Sequence, residues 1–189
     1  MSNYVVTGGT DAFVAKLSNH LRAPVHRDPV ESITSWIHIV GGDTGDEPSA
    51  SLTAAAASAD RHLPVGEGAS FIAVVPVWGV MAPPHDAPAE LAAATARALA
   101  KVSIERWSRE GRRINIVAYG PLETDALPGL RDPATLRDRS PMHKPATLSD
   151  LADAIDFLSS SAASYVTGSE LPLDGGWTAY SWFYPARDL

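Results

Sequence analysis

Short, continuous apolar runs stopped by glycine or polar turns, with helical spacing between them, constrain this chain more than any other feature. Tyr4-Val5-Val6-Thr7 runs into Gly8-Gly9, and Trp36-Ile37-His38-Ile39-Val40 into Gly41-Gly42. Ser70 to Val77 stops at Trp78-Gly79, and Arg113 to Ala118 at Tyr119-Gly120. A run with few polar alternates has no face to give to water, so each predicts a strand buried on both sides. Helical spacing fills the intervals from Ala12 to Leu21 (Phe13, Leu17, Leu21), from Ser51 to Leu63 and from Glu90 to Glu110. Thr147-Leu148-Ser149-Asp150 fits a capping box opening a helix to Leu158, and Glu170 to Leu173 predicts a final strand before Asp174-Gly175-Gly176. Strands alternating with helices imply an α/β chain with a doubly wound parallel sheet. No internal repeat or low-complexity linker breaks residues 1–189, which predicts a single domain. The irregular stretch after Gly120 is longer than most structureless loops, so it is expected to be functional or partly helical.

Composition narrows the function classes. A chain of 189 residues with 45% hydrophobic residues can bury a substantial core. Its net charge of −7 predicts neither nucleic acid nor an anionic membrane as partner, because phosphate binding needs clustered Lys and Arg. The absence of cysteine removes disulfides, thiolate metal sites and thiol nucleophiles. No apolar run reaches the roughly 20 residues of a membrane-spanning helix. The start, MSNYVVTGG, has no basic segment followed by an apolar stretch, so a cytoplasmic location is expected. The histidines show no ligand spacing, and no metal is expected.

Two runs carry a family resemblance. RRINIVAYGPLET (Arg112 to Thr124) resembles the strand of short-chain dehydrogenases/reductases that leads to a nicotinamide-contacting Thr. HKPATLSDLADAIDFLSSSAASYVTGSELPLDGGW (His143 to Trp177) is similar to that family's last helix, last strand and closing Asp-Gly-Gly. The resemblance covers the chain from Ser70 onward and is weak before it. It implies a Rossmann-like doubly wound parallel sheet.

The family's functional positions are occupied by other side chains. Its phosphate loop spaces three glycines so that backbone amides approach a pyrophosphate without a Cβ between them. Here the stretch is Thr7-Gly8-Gly9-Thr10-Asp11-Ala12-Phe13-Val14. Gly8 and Gly9 remain, the other positions fall on Ala12 and Val14, and Asp11 adds a carboxylate. Val14 is expected to obstruct the dinucleotide, and no NAD(P) cofactor is expected. Too little chain lies between Leu21 and Thr34 for the two βα units expected there, so the sheet should be shortened at its nucleotide-binding edge. The family's Asn-Asn-Ala-Gly becomes Gly41-Gly42-Asp43-Thr44. Its catalytic Ser, Tyr and Lys fall on Pro76, Ala89 and Ala93, none of which ionises or donates. Thr124 stands where the carboxamide contact is made, either as a relic or as a turn residue, and Asn115 keeps a structural position.

Other side chains are candidates for new chemistry at the carboxyl ends of the strands, where open α/β sheets bind ligands. These are Asp43, His85, Asp86 and Tyr119. His85-Asp86 reads as a general base beside a carboxylate or as a solvated turn, and Tyr119 as a carbonyl donor or an aromatic lid. His38, inside an apolar run, reads as a satisfied core histidine. Trp177, Tyr180, Trp182, Phe183 and Tyr184 form an aromatic tail suited to partner contact or to capping a pocket. Two functions follow as expectations. One is a degenerate subunit, not a self-sufficient oxidoreductase, in a homo- or hetero-oligomer, pairing with a complete dehydrogenase through the Glu90 to Glu110 helix and the last strand. The other is a cofactor-independent isomerase, dehydratase, lyase or cyclase in the same crevice.

Overall fold

A computed structural model describes residues 3–29, 31–40, 47–66, 68–77, 87–123 and 140–179, with the backbone alone for Ala87 and Ala89. Its strands are β1 (Asn3–Gly8), β2 (Val25–His26), β3 (Ile33–Ile39), β4 (Ala69–Pro76), β5 (Arg112–Tyr119) and β6 (Glu170–Leu173). They form one parallel sheet in the order β2-β1-β3-β4-β5-β6. Its helices are α1 (Asp11–Ser18), α2 (Pro48–His62), α3 (Ala87–Arg109) and α4 (Leu148–Ser159), with a 3-10 turn at Ser161–Ala163. The fold is the Rossmann-like doubly wound sheet that the alternating runs and the resemblance imply.

Strand periodicity assigns the two faces. Phe71, Ala73 and Val75 of β4, with Ile114, Ile116 and Ala118 of β5, turn toward α2 and α3. Ile72 and Val74, with Val117 and Tyr119, turn toward α1 and α4. Small residues on the inner stripe of α3 (Ala92, Ala93, Ala96, Ala100) let that helix lie close to the sheet. At its far end Trp107 meets Phe71 edge to face at 6.1 Å, and Arg112 lies over the indole at 5.8 Å. Asp60 of α2 accepts from Arg106 at 2.7 Å, Trp107 Nε1 at 3.1 Å and Arg112 at 3.1 Å, locking α2 to α3 and β5.

Element boundaries differ from the apolar pattern where polar groups are buried or where a cap decides. β3 begins at Ile33, earlier than the run from Trp36, because the Ser35 hydroxyl is satisfied by Ser70 Oγ at 3.1 Å in the sheet interior. α2 begins at Pro48, since proline suits a first helical position and Glu47 caps the helix by accepting from Ala50 N at 2.8 Å. α1 stops at Ser18 with Asn19 as its cap, although Leu21 still packs on the core. The capping box at the start of α4 is present, Thr147 and Asp150 each accepting from the other's backbone. The sheet's shortened edge is β2, two residues long. Among the described residues no helix is long and apolar enough to cross a membrane.

Phe71→Ala should cost about 3–5 kcal/mol, because it deletes a buried ring and leaves Trp107 facing a cavity. Urea unfolding of the purified chain measures it, and a loss below 1 kcal/mol would mean that this face repacks.

Candidate functional site

The crevice of such a sheet lies at the carboxyl ends of its strands, so the β1–α1 turn forms one wall. Gly8 has φ 68°, and a Cβ there would lie 2.1 Å from the Ile39 carbonyl oxygen and 2.9 Å from the His38 ring. The close pass of β3 and the positive φ both require glycine here. Gly9 (φ 62°) follows, its amide donating to Ile39 O at 3.0 Å. Thr10 caps α1 by accepting from Phe13 N at 3.2 Å. Val14 is 4% exposed and packs in the core beneath the turn. It therefore does not face outward as the obstacle expected of it; a residue in the first turn of an amphipathic helix has one buried side, and Val14 is on it. Asp11 is exposed at the helix start, and its carboxylate meets Arg27 at 3.2 Å. Arg27 also donates to Val6 O at 3.2 Å and to Gly8 O at 3.1 Å.

Beneath the turn lies a relay of polar groups. Trp36 Nε1 donates to Thr7 Oγ1 at 3.0 Å, Thr7 Oγ1 lies 3.0 Å from His38 Nδ1, and His38 Nε2 lies 3.4 Å from Ser51 Oγ. Since Thr7 accepts from the indole, its own proton is available to Nδ1, which leaves the imidazole proton on Nε2 facing Ser51. Burial pushes the His38 pKa down to about 4, so the ring is neutral at physiological pH. His38 is thus the satisfied core histidine that its apolar run suggests. Thr7 and Ser51, its partners, carry no sequence signal, because their pairing spans separate elements.

Pro76 lies on β4, and Ala89 and Ala93 lie on α3. Pro76 is the buried last residue of β4, opposite Tyr119 in the ladder. Ala93 is 1% exposed on the inner face of α3, and Ala89 lies one helical turn earlier. Tyr119 is 3% exposed among residues of the α1 and α4 face, and its hydroxyl donates to Val40 O at 3.3 Å. Asn115, inside β5, ties that strand to the loop leading into β6, donating to Val166 O at 2.9 Å and accepting from Ser169 N at 3.1 Å. Asp43, His85, Asp86, Thr124, Tyr180, Trp182, Phe183 and Tyr184 lie outside the described residues, and Trp177 is buried. Among the described residues no three His, Asp or Glu side chains come together to hold a metal.

A second concave region, of about 490 Å³, lies by the start of β1 at the opposite end of the sheet. There the Tyr4 hydroxyl donates to Asp156 at 3.0 Å, and the Arg22 amide donates to the same carboxylate at 3.1 Å. Burial and the neighbouring carboxylate push Tyr4 up to about 12, and burial raises Asp156 as well. These groups satisfy one another and tie the α1–β2 connection to α4.

Known proteins match this architecture. The family model described as enoyl-(acyl carrier protein) reductase matches residues 46–178. The cis-4-hydroxycyclohexanecarboxylate dehydrogenase of Sinomonas cyclohexanicum is 28% identical over 91% of this chain and 67% of its own length. The 3-alpha-hydroxysteroid dehydrogenase/carbonyl reductase of Comamonas testosteroni is 41% identical over 37% of this chain, a match spanning 29% of that relative. Among solved structures, the enoyl-[acyl-carrier-protein] reductase (NADH) of Aquifex aeolicus VF5 superposes with a TM-score of 0.77 at 18% identity, covering 96% of this chain and 98% of that one. The gluconate 5-dehydrogenase of Burkholderia cenocepacia J2315, solved in complex with NADP and tartrate, superposes with a TM-score of 0.74 at 20% identity, over 95% and 96% of the two chains. These relatives are dehydrogenases and reductases, and the solved ones are described with nicotinamide cofactors.

His38 generates a pH prediction. The unfolded chain takes up a proton near pH 6.5 while the folded chain holds this ring neutral down to about pH 4. Stability is therefore full above pH 6.5 and declines as the pH falls through that window, by about 3 kcal/mol from this group. Urea midpoints for the wild type and His38→Gln between pH 4 and pH 7.5 check it. The variant should show a shallower decline, and parallel curves would refute the assignment.

Proposed function

Because the chain belongs to the short-chain dehydrogenase/reductase family, we propose that it is a subunit without hydride-transfer machinery of its own, acting as structural or regulatory partner of a complete dehydrogenase in a hetero-oligomer. The observation that carries this reading is the set Pro76, Ala89 and Ala93. Proton transfer during carbonyl reduction needs an ionisable group within hydrogen-bond reach of the substrate oxygen, and none of these side chains is one. Tyr119 offers no substitute, being buried with its hydroxyl committed to Val40 O.

The cofactor side supports the same reading. A pyrophosphate at the β1–α1 turn would meet the Asp11 carboxylate where a helix start otherwise favours an anion. The two-residue β2 leaves little wall for an adenosine. The residues present therefore fit a dinucleotide poorly, although the relatives use one. The elements suited to pairing are intact. Leu91 and Val102 on the outer face of α3 are 53% and 78% exposed, with Ala94 and Ala98 exposed between them. Apolar and small side chains in a row along a helix support close packing of a second helix.

Co-expression with a complete short-chain dehydrogenase of the same organism tests the proposal. We expect a monodisperse mixed oligomer whose activity needs both chains, and Val102→Glu should weaken assembly at least tenfold while leaving the lone chain's melting temperature near wild type. Turnover by the lone chain, lost on Tyr119→Phe or Asp43→Asn, would instead establish a cofactor-independent enzyme.

A further inference from the structure

We propose that Arg27 is a built-in occupant of the place a dinucleotide would take: its guanidinium completes the shortened sheet edge and, with Asp11, closes the glycine turn. The inference deepens the cofactor-free reading above and rests on it. It starts from the ladder. Tyr4 N donates to Pro24 O at 2.9 Å, so Tyr4 presents its amide and carbonyl to β2. In a parallel strand alternate residues point the same way, so Val6 and Gly8 face that edge too. β2, however, pairs only with Tyr4 and Val5. Beyond His26 the backbone departs, and among the described residues no amide follows to meet the Val6 carbonyl.

Arg27, the next residue, supplies the missing donors from its side chain. One terminal nitrogen donates to Val6 O at 3.2 Å and Gly8 O at 3.1 Å, and the other meets Asp11 at 3.2 Å. Only a guanidinium suits this task, because it carries five donors in a flat fork and no acceptor. An ammonium has no second nitrogen to hold the carboxylate while the first bridges two carbonyls. The arrangement has two consequences. A half-open strand edge is covered, which protects it from pairing with another chain. An anion arriving at the turn must also displace Asp11 from the second nitrogen of Arg27.

The test uses the lone full-length chain, melted with and without NADH and NADPH at millimolar concentration. The wild type should melt at the same temperature with either nucleotide. Arg27→Ala should melt lower by roughly 3 °C, the size expected for losing a bridged pair of surface hydrogen bonds in a chain of this length. Arg27→Lys should recover less than half of that loss. Two results overturn the proposal: Arg27→Ala melting with the wild type, or a nucleotide-dependent rise in the wild type that Arg27→Ala abolishes, which would make Arg27 a ligand-binding group. Because no partner is present, failure of the mixed oligomer to form would overturn the assembly reading and leave these curves to be judged separately.

Discussion

A parallel sheet has no face that it can leave to water, and in this chain the ladder between β4 and β5 is where that requirement is met most fully. Ala69 through Pro76 pair in register with Arg112 through Tyr119, and every residue of both strands is buried. Burial on both faces demands helices on both faces, and the side chains of this pair divide between the two cores. The stripe of alanines on α3 follows from the same demand, because a helix laid directly over the ladder must present small residues to it. Ala93 belongs to that stripe.

Away from this ladder the sheet thins, and polar groups take over from apolar ones. β1 and β3 are held at their carboxyl ends by the Trp36–Thr7–His38–Ser51 relay, which also fastens α2. Such a relay is stabilising only if every member is satisfied, which is why the imidazole must stay neutral. The outermost wall is thinner still. There β2 is reduced to Val25–His26, and one arginine side chain does what a backbone ladder does elsewhere. The sheet thus grades from an apolar, closely packed centre to a polar edge at β2.

Much of this fold was legible in the residues. The β1, β4, β5 and β6 runs, the three longer helices and the capping box at Thr147 all announce themselves through local patterns. β2 did not, because a two-residue strand has no period, and the first half of β3 did not, because Thr34 and Ser35 read as loop residues until Ser70 is seen opposite. The site was less legible than the fold. Gly8 is legible as a glycine, but the close pass of Ile39 that requires one there is not. Val14 was expected to project outward and instead faces the core.

Residue type is a property of the sequence alone, so it already decided that Pro76, Ala89 and Ala93 carry no ionisable group. No tertiary arrangement can give those side chains an ionisable proton. Environment is a different matter. Whether Tyr119 reaches a crevice, whether His38 can take a proton, and what Arg27 holds all depend on groups that are distant in the chain or turned by a few degrees of helix rotation. Those were decided only when the strands came together, because hydrogen-bond partners and desolvation are set by what lies across the sheet and not by what comes next along it.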